Sequence, residues 1–468
     1  MKKLPPWYWR ALDLKNRTAS TIFASLFESK DTIATLLESP VPTSPESLQL
    51  SSYSICAGSP RIVDGKPQLW TPAVGEILPF LDCLLQRQRV DNPEVAHLPF
   101  TGGWLGWLGY DLAWEIEKLP HLNKDTLPFP VAYWYEPDRF AVLDYQEQTL
   151  WLAASHPEHL DELEHKLNSS PASPTSPRTL IASPASLSFL TSQTEYEDAV
   201  RQAKQYIQAG DIFQTNLSLR FQTTTEVDSW SIYQALHQIN PSPFASYWRS
   251  PWGAVISCSP ERLVQLQGDY AQTRPIAGTR RRGDTLESDR ALAAELLANK
   301  KERAEHIMLV DLERNDLGRV CQWGSVEVDE LLVIERYSHV MHLVSNVRGR
   351  LKSDRKSVDL IRGMFPGGTI TGCPKVRCME IIEKLEPVRR SLFYGSCGYL
   401  DQRGNLDLNI LIRTLLYTNH SGLDDPAMVY GQVGAGIVAD SDPEREWYES
   451  LNKAEAQLAA LSVIELTH

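Results

Sequence analysis

The chain has 468 residues, 42% of them hydrophobic, which is enough to bury a large core and to build more than one domain. Its formal net charge is -13, which disfavours nonspecific binding to nucleic acid, and its seven cysteines include no CxxC pair, which disfavours a zinc site or a disulfide framework. It has no apolar run of about 18 residues and no signal-peptide core after MKKLPPWYWR, so we expect a cytoplasmic protein without a membrane span.

The N-terminal part, residues 1–167, mixes strand-like runs such as FAVLDY and TLWLAA with a helical stretch, PEHLDELEHKL. Its most unusual stretch is TGGWLGWLGYDL, residues 101–112, where four glycines stand among large side chains. This pattern predicts close backbone approach beside a packed core. The glycines do not follow the order GxGxxG, so we do not expect a dinucleotide loop.

Residues 168–188, NSSPASPTSPRTLIASPASLS, are rich in Ser, Pro and Thr and predict a loop or linker. The part that follows, 189–468, opens with a predicted amphipathic helix over 194–211, with Gly210 at its C-terminal end. A strand is predicted over 212–223 and a long helix over 291–318. Helices and strands are intermixed without βαβ regularity, which favours an α+β fold.

Two pairs of glutamates have the spacing i, i+3. Glu302 and Glu305 form one pair, and Glu446 and Glu449 form the other. On a helix each pair lies on one face, and two such faces across a cleft would supply the hard oxygen ligands that Mg2+ prefers. The alternative is that both pairs are solvated helix surfaces, which is common for acidic residues.

Two glycine-rich runs and one histidine are further candidates for binding. FPGGTITGCP, residues 365–374, contains Thr369 before a predicted helix, and GQVGAGIVADS, residues 431–441, is the second run. Exposed N–H groups in such loops can hold a carboxylate, although ordinary turns have the same composition. His342 stands between apolar residues, where a buried histidine with one hydrogen bond is the simpler interpretation.

Taken together and in order, six motifs resemble the chorismate-utilising enzyme family, which includes anthranilate synthases, aminodeoxychorismate synthases, isochorismate synthases and salicylate synthases. The resemblance covers residues 195–460, and the N-terminal part is similar to the variable half of that family through LLES, residues 36–39, and GGWLGWLGYDL. It implies large antiparallel β-sheets packed as a sandwich with helices outside. The motifs are PIAGTRRRG (275–283), KERAEHIMLVDLERNDLGRV (301–320), YSHVMHLVSNVRG (337–349), FPGGTITGCPKVRCMEIIEKLEP (365–387), LDLNILIRT (406–414) and GAGIVADS (434–441).

The resemblance implies a function for both glutamate pairs. In the family one acid of each pair, here Glu305 and Glu449, binds Mg2+, and the partners Glu302 and Glu446 support it. The ion holds the ring carboxylate of chorismate, which overcomes the repulsion between carboxylates.

The resemblance also implies how the rest of the substrate is bound. Arg413 matches the residue that pairs with the enolpyruvyl carboxylate, and Glu261 matches the acid that protonates the departing C4 hydroxyl. His342 and Thr369 match residues that position the ring and its hydroxyl. The other positions matched to the substrate site are Gly278, Thr279, Gly434, Gly436 and Lys453.

Gln214 and Ala277 bear on which reaction is catalysed. Family members that add water carry Lys at the position of Gln214, and Gln cannot act as that base, so we expect ammonia as the nucleophile. QTNLSLRF, SPERL, DLERNDLGR, FPGGTITG and LDLNI are similar to the aminodeoxychorismate synthases, which aminate at C4. Ala277, however, occupies a position where many of those enzymes have a nucleophilic Lys.

Amination at C4 is therefore the reaction that the resemblance implies, and two alternatives to it stay open. Anthranilate synthases, which aminate at C2 and release pyruvate, also have Ala at the position of Ala277. A protein that binds chorismate without converting it is the remote alternative.

The resemblance implies two further partners. Leu37, Glu38, Ser39, Asn240, Pro241 and Phe244 are similar to the tryptophan pocket of the family, the alternative being plain core contacts. None of the cysteines lies in a GxCxG-like turn, so we expect ammonia to come from a separate glutamine amidotransferase subunit.

Overall fold

The computed structural model describes residues 6–28, 32–40, 52–86, 92–169, 179–181, 185–337, 340–418 and 426–465. Within these ranges the chain forms an α+β fold, as expected, dominated by one antiparallel sheet of 12 strands and another of 10. No helix in the described ranges is both long and apolar enough to cross a membrane.

The helices, in chain order, are α1 Ala19–Phe23, α2 Ile77–Leu85, α3 Ala113–Ile116, α4 Pro157–Ser169, α5 Gln193–Gln208, α6 Ser229–Ile239, α7 Leu286–Ala298, α8 Lys300–Val320, α9 Ser357–Met364, α10 Lys375–Leu385 and α11 Pro443–Leu461. Single turns of tighter or wider helix occur at Ala24–Glu28, Pro93–Val95, Tyr110–Leu112 and Gly368–Ile370.

The strands are β1 Tyr8–Asp13, β2 Ala34–Glu38, β3 Tyr53–Ala57, β4 Ile62–Val63, β5 Lys66–Pro67, β6 Leu69–Trp70, β7 Gly103–Leu108, β8 Ala132–Tyr135, β9 Arg139–Asp144, β10 Thr149–Ala154, β11 Thr179–Ile181, β12 Ala185–Phe189, β13 Gln214–Thr225, β14 Phe244–Ser250, β15 Gly253–Ser259, β16 Arg262–Gln267, β17 Tyr270–Thr273, β18 Ile276–Arg281, β19 Glu327–Arg336, β20 Val340–Arg350, β21 Gly372–Cys373, β22 Ser396–Asp401, β23 Leu406–Asn409, β24 Thr414–Thr418, β25 Ala427–Ile437 and β26 Val463–Glu465.

Both sheets contain strands from both ends of the chain. The larger sheet runs β1-β10-β9-β3-β2-β14-β15-β24-β25-β13-β12, with β21 beside β13, and the smaller runs β18-β20-β17-β16-β23-β22-β7-β8-β6, with β19 beside β20. The early strand β2 pairs with the late strand β14, and β7 pairs with β22. Residues 1–167 and 189–468 therefore share their hydrophobic cores.

Strand alternation explains the layering. In the larger sheet, Trp248 and Val255 pack in one cluster with Trp107 of the smaller sheet. Their neighbours Tyr247 and Ile256 point to the opposite face and pack with residues of the outer helices. The larger sheet thus lies between the smaller sheet and a layer of helices.

Several predicted elements have the expected bounds and others differ. The helix expected over 194–211 is α5, and Gly210 follows it with a φ of +80°. Close approach at residues 101–112 is confirmed, because a Cβ on Gly106 would lie 2.1 Å from the carbonyl oxygen of Tyr133. The segment 168–188 includes the end of α4, all of β11 and most of β12.

The single helix predicted over 291–318 is wrong. The chain instead forms α7 and α8, separated at Asn299. The Asn299 side chain accepts hydrogen bonds from the N–H groups of Lys301 and Glu302, at 3.1 and 3.2 Å. An asparagine in this extended conformation is a strong N-terminal cap, so a new helix starts there.

Candidate active site

The two predicted glutamate pairs lie on two helices. Glu302 and Glu305 are in the first two turns of α8, and Glu446 and Glu449 are in the first two turns of α11. Asp442 caps α11 by accepting a hydrogen bond from the N–H of Arg445 at 3.0 Å. Both helices therefore begin at the site, and their positive N-terminal ends favour the acidic residues there.

The carboxylates influence one another across the gap between the helices. Burial raises the pKa of Glu305, and the charge of Glu449 raises it further. Burial also raises the pKa of Glu446, which is again close to Glu449. Oε2 of Glu446 is buried without a hydrogen-bond partner among the described residues. These acids are held in an arrangement that a cation would stabilise.

Two of the four acids already have basic partners. Nη1 of Arg280 donates to Glu302 at 2.9 Å, and Nζ of Lys453 donates to Glu449 at 2.8 Å. In the described part of the chain, no group of three or more His, Cys, Asp or Glu side chains is gathered closely enough to hold a metal ion. Protein ligands alone therefore do not form a closed metal cage here.

Ala277, Gly278 and Thr279, from the motif PIAGTRRRG, form a bulge in strand β18. The pairing with β20 shifts between Ala277 and Thr279, and Gly278 at this point has a φ of +64°. A Cβ on Gly278 would lie 3.2 Å from Oε2 of Glu302 and 2.6 Å from Leu296. Glycine is therefore required both by the backbone conformation and by the approach of α7 and α8.

His342, on β20, is a neutral hydrogen-bonding group. Its Nδ1 lies 3.0 Å from the hydroxyl of Thr279. Burial lowers the pKa of His342 to about 4, and the nearby positive charge of Arg413 adds to this effect. The ring is therefore uncharged at neutral pH and can orient a substrate hydroxyl without contributing a charge.

Arg413 is a half-buried cation without a carboxylate partner in the described ranges. Its backbone has a φ of +52°, and its guanidinium donates to the carbonyl of Lys453. Burial lowers the pKa of Arg413, and the group nearby that opposes this is Tyr394. Because an unpaired guanidinium is costly to bury, the site favours an anionic ligand at this point.

Glu261 connects β15 to β16 and is 6% exposed. Burial raises its pKa to about 7, and an interaction with the hydroxyl of Thr369 partly opposes the rise. That hydroxyl is buried and has no fully formed hydrogen bond among the described residues. Glu261 can therefore hold a proton near neutral pH, as a general acid must.

Gln214 lies where β13 pairs with β21 and with β25, the two strands that contain parts of the glycine-rich runs. It begins β13, which pairs with β25 so that Asn216 is opposite Gly436. A Cβ on Gly436 would lie 2.6 Å from Nε2 of Gln214 and 3.8 Å from Oε1 of Glu305. Gly434 contributes its carbonyl, which accepts a hydrogen bond from Lys453 at 3.0 Å. The missing side chain of Gly436 makes room for Gln214.

These contacts bring together the predicted metal residues and most of the predicted substrate residues, whereas Glu261 and Thr369 are neighbours of each other in a separate pair. One chain of neighbours runs from Glu449 through Lys453 to Arg413, His342 and Thr279. Ala277 and Gly278 adjoin Thr279, and Glu302 lies against Gly278.

Sequence reasoning missed a buried polar cluster behind this region. Lys375 donates to Asp316 and, at 3.1 Å, to the carbonyl of Met364, and all three residues are buried. Burial raises the pKa of Glu313 to about 8, with Asp316 and Glu261 contributing. The sequence did contain a signal: Glu313 and Asp316 lie three residues apart on the apolar face of α8. Acidic residues on the solvent-exposed face of a helix would not occupy these positions.

The predicted tryptophan pocket coincides in part with a cavity of about 380 Å³. Leu37, Glu38, Ser39 and Phe244 line it, whereas Asn240 and Pro241 lie outside its lining. Asn240 ends α6, and its amide donates to the carbonyl of Cys258 at 3.4 Å.

The charged groups of the cavity already have partners within the protein. Glu38 accepts hydrogen bonds from the hydroxyls of Ser20 and Tyr233, at 2.6 and 2.7 Å. The guanidinium of Arg262 pairs with Asp407 and lies 5.0 Å from the ring of Phe244.

Comparison with known proteins agrees with this fold. The family model described as chorismate binding enzyme matches residues 52–459. The chain therefore belongs to the chorismate-binding enzymes and is an enzyme that acts on chorismate.

Three similar proteins divide over the particular reaction. The chain is 62% identical to "Anthranilate synthase component I-like protein" of Synechocystis, over 98% of this chain and 93% of that protein. It is 46% identical to "Aminodeoxychorismate synthase component 1" of Bacillus subtilis, over 78% of each. The crystal structure of anthranilate synthase component I from Streptococcus pneumoniae superposes with a TM-score of 0.75 at 30% identity, covering 90% of this chain and 98% of that one.

Proposed function

We propose that the chain is component I of an aminodeoxychorismate synthase, which converts chorismate and ammonia to 4-amino-4-deoxychorismate on the route to para-aminobenzoate and folate. Gln214, a neutral and buried amide beside Glu305 and Gly436, supports ammonia as the nucleophile, which aminodeoxychorismate synthases share with anthranilate synthases. Family members that activate water have a lysine at this position, and a neutral amide favours ammonia instead. The observation that carries the choice of amination at C4 is the 46% identity to aminodeoxychorismate synthase component 1 of Bacillus subtilis.

Arg413 supplies one half of substrate binding. Chorismate carries two carboxylates, and the half-buried guanidinium of Arg413 matches one of them in charge and could donate to it at two points. Its hydrogen bond to the carbonyl of Lys453 fixes its direction. His342 and Thr279, whose Nδ1 and hydroxyl oxygen lie 3.0 Å apart, then orient the ring between Arg413 and the glutamates of α8 and α11.

The acidic residues would hold Mg2+ together with the second carboxylate. The donor set fits a hard cation, because Glu305 and Glu446 have raised pKa values and Oε2 of Glu446 has no hydrogen-bond partner among the described residues. To bind the ion, Glu302 would have to give up part of its contact with Arg280, and Glu449 part of its contact with Lys453. The ion would supply the positive charge that lets a carboxylate approach four glutamates.

Glu261 supplies the proton for the leaving group. The ring C4–O bond breaks as the hydroxyl accepts the proton of Glu261 and departs as water. The nitrogen of ammonia forms the new bond to C4 and returns one proton to Glu261. Ala277 has no nucleophile, so we infer a route without a covalent bond at this position.

We propose that ammonia is delivered by a separate glutamine amidotransferase subunit, since none of the cysteines has the setting of a glutaminase nucleophile. Free ammonium salts should replace that subunit at a pH high enough to supply ammonia.

Anthranilate synthase is the second candidate, because Ala277 and the Streptococcus pneumoniae structure favour it. A pyruvate assay during turnover separates the two activities. Amination at C4 retains the enolpyruvyl group, whereas anthranilate formation releases one pyruvate for each chorismate. Chorismate that is bound but never consumed would instead indicate the remote alternative, a binding protein.

We also propose tryptophan as the ligand of the cavity beside Leu37, Ser39 and Phe244. A volume of about 380 Å³ is in the range of small-molecule sites. Tryptophan should raise the melting temperature of the protein, because a ligand of the folded state stabilises it, and phenylalanine should do so less. An equal effect on Phe244→Ala would contradict this assignment.

A further inference from the structure

Arg390 is among the most deeply buried charged residues that the structure describes, with 1% exposure. Its guanidinium forms a two-point pair with Glu386, from Nε to Oε2 at 3.0 Å and from Nη2 to Oε1 at 2.7 Å. Nη1 donates to the carbonyl of Ile370 at 2.8 Å, and Nη2 also donates to the carbonyl of Asn216 at 2.7 Å. One side chain thus connects two separate backbone segments.

Both segments carry residues of the chorismate site. Ile370 follows Thr369 in the turn Gly368–Ile370, and the hydroxyl of Thr369 interacts with Glu261. Asn216 is two residues beyond Gln214 on β13. The N–H of Asn216 also donates to the carbonyl of Thr371 at 2.9 Å, so the guanidinium reinforces a junction between the turn and the strand.

Arg390 also lies between two aromatic rings. Its Cζ is 4.6 Å from the ring of Tyr394 and 4.8 Å from the ring of Tyr110. Tyr394 is close enough to Arg413 for the two groups to influence each other's pKa. The guanidinium of Arg390 therefore also supports Tyr394, the neighbour of Arg413.

The partner Glu386 has no capacity left for a ligand. Its Oε1 accepts hydrogen bonds from the N–H and the hydroxyl of Ser218, at 2.8 and 2.7 Å, in addition to Arg390. A pair so fully used inside the protein does not touch substrate. Its effect on the reaction must pass through the groups that it holds.

We propose that Arg390 is a positioning residue of the chorismate site, which fixes the Thr369 turn against the Gln214 strand and supports Tyr394 beside Arg413. The proposal deepens the proposed function and rests on it only for the location of the substrate. A planar guanidinium is needed because it donates in fixed directions to Glu386, Ile370 and Asn216 at once. Lysine keeps the charge but cannot reproduce this fork.

Arg61 offers a matched control. It is 3% exposed, its Nη1 donates to Oε1 of Glu136 at 2.8 Å, and its Cζ lies 4.7 Å from the ring of Trp7. Arg61 and Glu136 lie in the connections that follow β3 and β8, which carry none of the residues matched to the chorismate site. Arg61→Lys thus disturbs a similar buried ion pair without disturbing the junction between the Thr369 turn and β13.

The test compares Arg390→Lys and Arg61→Lys by melting temperature, by calorimetric binding of chorismate with Mg2+, and by the kcat for chorismate consumption. We expect both variants to lose stability, and Arg390→Lys alone to lose kcat by about tenfold to a hundredfold, because small misplacements of reacting groups have effects of this size. Its KM should change much less. Equal kcat values for the two variants would overturn the proposal.

Glu386→Asp covers the case in which Arg390→Lys does not fold. It keeps the ion pair but withdraws the carboxylate by one methylene, so we expect a smaller loss of kcat with KM nearly unchanged. An unchanged kcat in this variant would also overturn the proposal. Because chorismate consumption is measured, the result does not depend on whether the product is aminated at C4 or C2, and product identity in the unmodified protein tests the proposed function separately.

Discussion

Glu305 on α8 and Glu449 on α11 lie on different helices, yet the charge of Glu449 raises the pKa of Glu305. Two carboxylates that repel each other in this way lower the stability of the protein unless a cation lies between them. This repulsion between two carboxylates near the N-terminal ends of α8 and α11 is the physical basis for the proposed magnesium site.

The first prediction concerns this pair. Glu449→Ala should reduce chorismate turnover by more than about a hundredfold, because loss of a metal ligand exceeds the tenfold to hundredfold effect of an outer residue. Glu444→Ala, an exposed acid in the first turn of the same helix, should leave turnover nearly unchanged. Turnover is measured against MgCl2 concentration, and full activity of Glu449→Ala at low Mg2+ would remove Glu449 from the site.

The second prediction concerns the acid. Because the pKa of Glu261 is raised to about 7, the protonated form needed for catalysis is lost as pH rises through that value. With saturating ammonia, kcat should therefore fall on the alkaline side. Glu261→Gln should bind chorismate normally, turn it over about a hundredfold to ten-thousandfold more slowly and lack this limb. The same limb in Glu261→Gln would assign it to another group.

The third prediction uses the same group to test stability. A carboxyl whose pKa is higher in the folded state makes a contribution that is fully present below its unfolded pKa and is lost as pH rises toward about 7. The free energy of unfolding of the unmodified protein should thus fall, relative to Glu261→Gln, between acidic and neutral pH. Denaturant titrations at several pH values measure the difference, and a difference independent of pH would mean that Glu261 is not buried as described.

The fourth prediction concerns Arg413. Replacing it with Met should weaken chorismate binding by about tenfold to a hundredfold, as expected for a lost charged hydrogen bond. The melting temperature without substrate should change little, because the guanidinium is half-buried and has no carboxylate partner among the described residues. Arg281→Met, at an exposed position, is the control for charge alone. Calorimetry decides the point, since unchanged affinity would exclude a carboxylate contact.

The fifth prediction concerns the choice of nucleophile. Gln214→Lys would place an amine beside Glu305 and Gly436, where it could activate water. Amination should fall by at least about tenfold, and an isomer of chorismate should appear, because water adds at one ring carbon as the C4 hydroxyl leaves as water. The isomer has the mass of chorismate and is identified by its separate retention time. Unchanged amination with no such isomer would show that residue 214 does not select the nucleophile.

The local parts of the site were the most predictable from sequence. The i, i+3 spacing of the glutamates required only helices, and both helices formed where a capping residue precedes them. Gly278 and Gly436 were recognisable by motif, although the side chains that need their space, Leu296 and Gln214, belong to other elements. Local periodicity therefore located the candidate residues but not their neighbours.

Long-range pairing was not predictable in the same way. The Ser/Pro-rich segment 168–188 suggested a separation between two parts, but β2 pairs with β14 and β7 with β22 across it. Composition does not predict which strands pair, because the backbone of a strand can form hydrogen bonds with the edge of any other strand. The two-point pair of Arg390 and Glu386 was missed for a similar reason, since an i, i+4 pair on a surface has the same spacing.

The most direct test of the central claim is the identity of the product. The purified chain is incubated with chorismate, MgCl2 and an ammonium salt, with and without a separate aminodeoxychorismate lyase, and the products are separated by mass-detected chromatography. We predict that 4-aminobenzoate appears only when the lyase is present. The appearance of 2-aminobenzoate and pyruvate without the lyase would contradict the proposal and identify the chain as an anthranilate synthase.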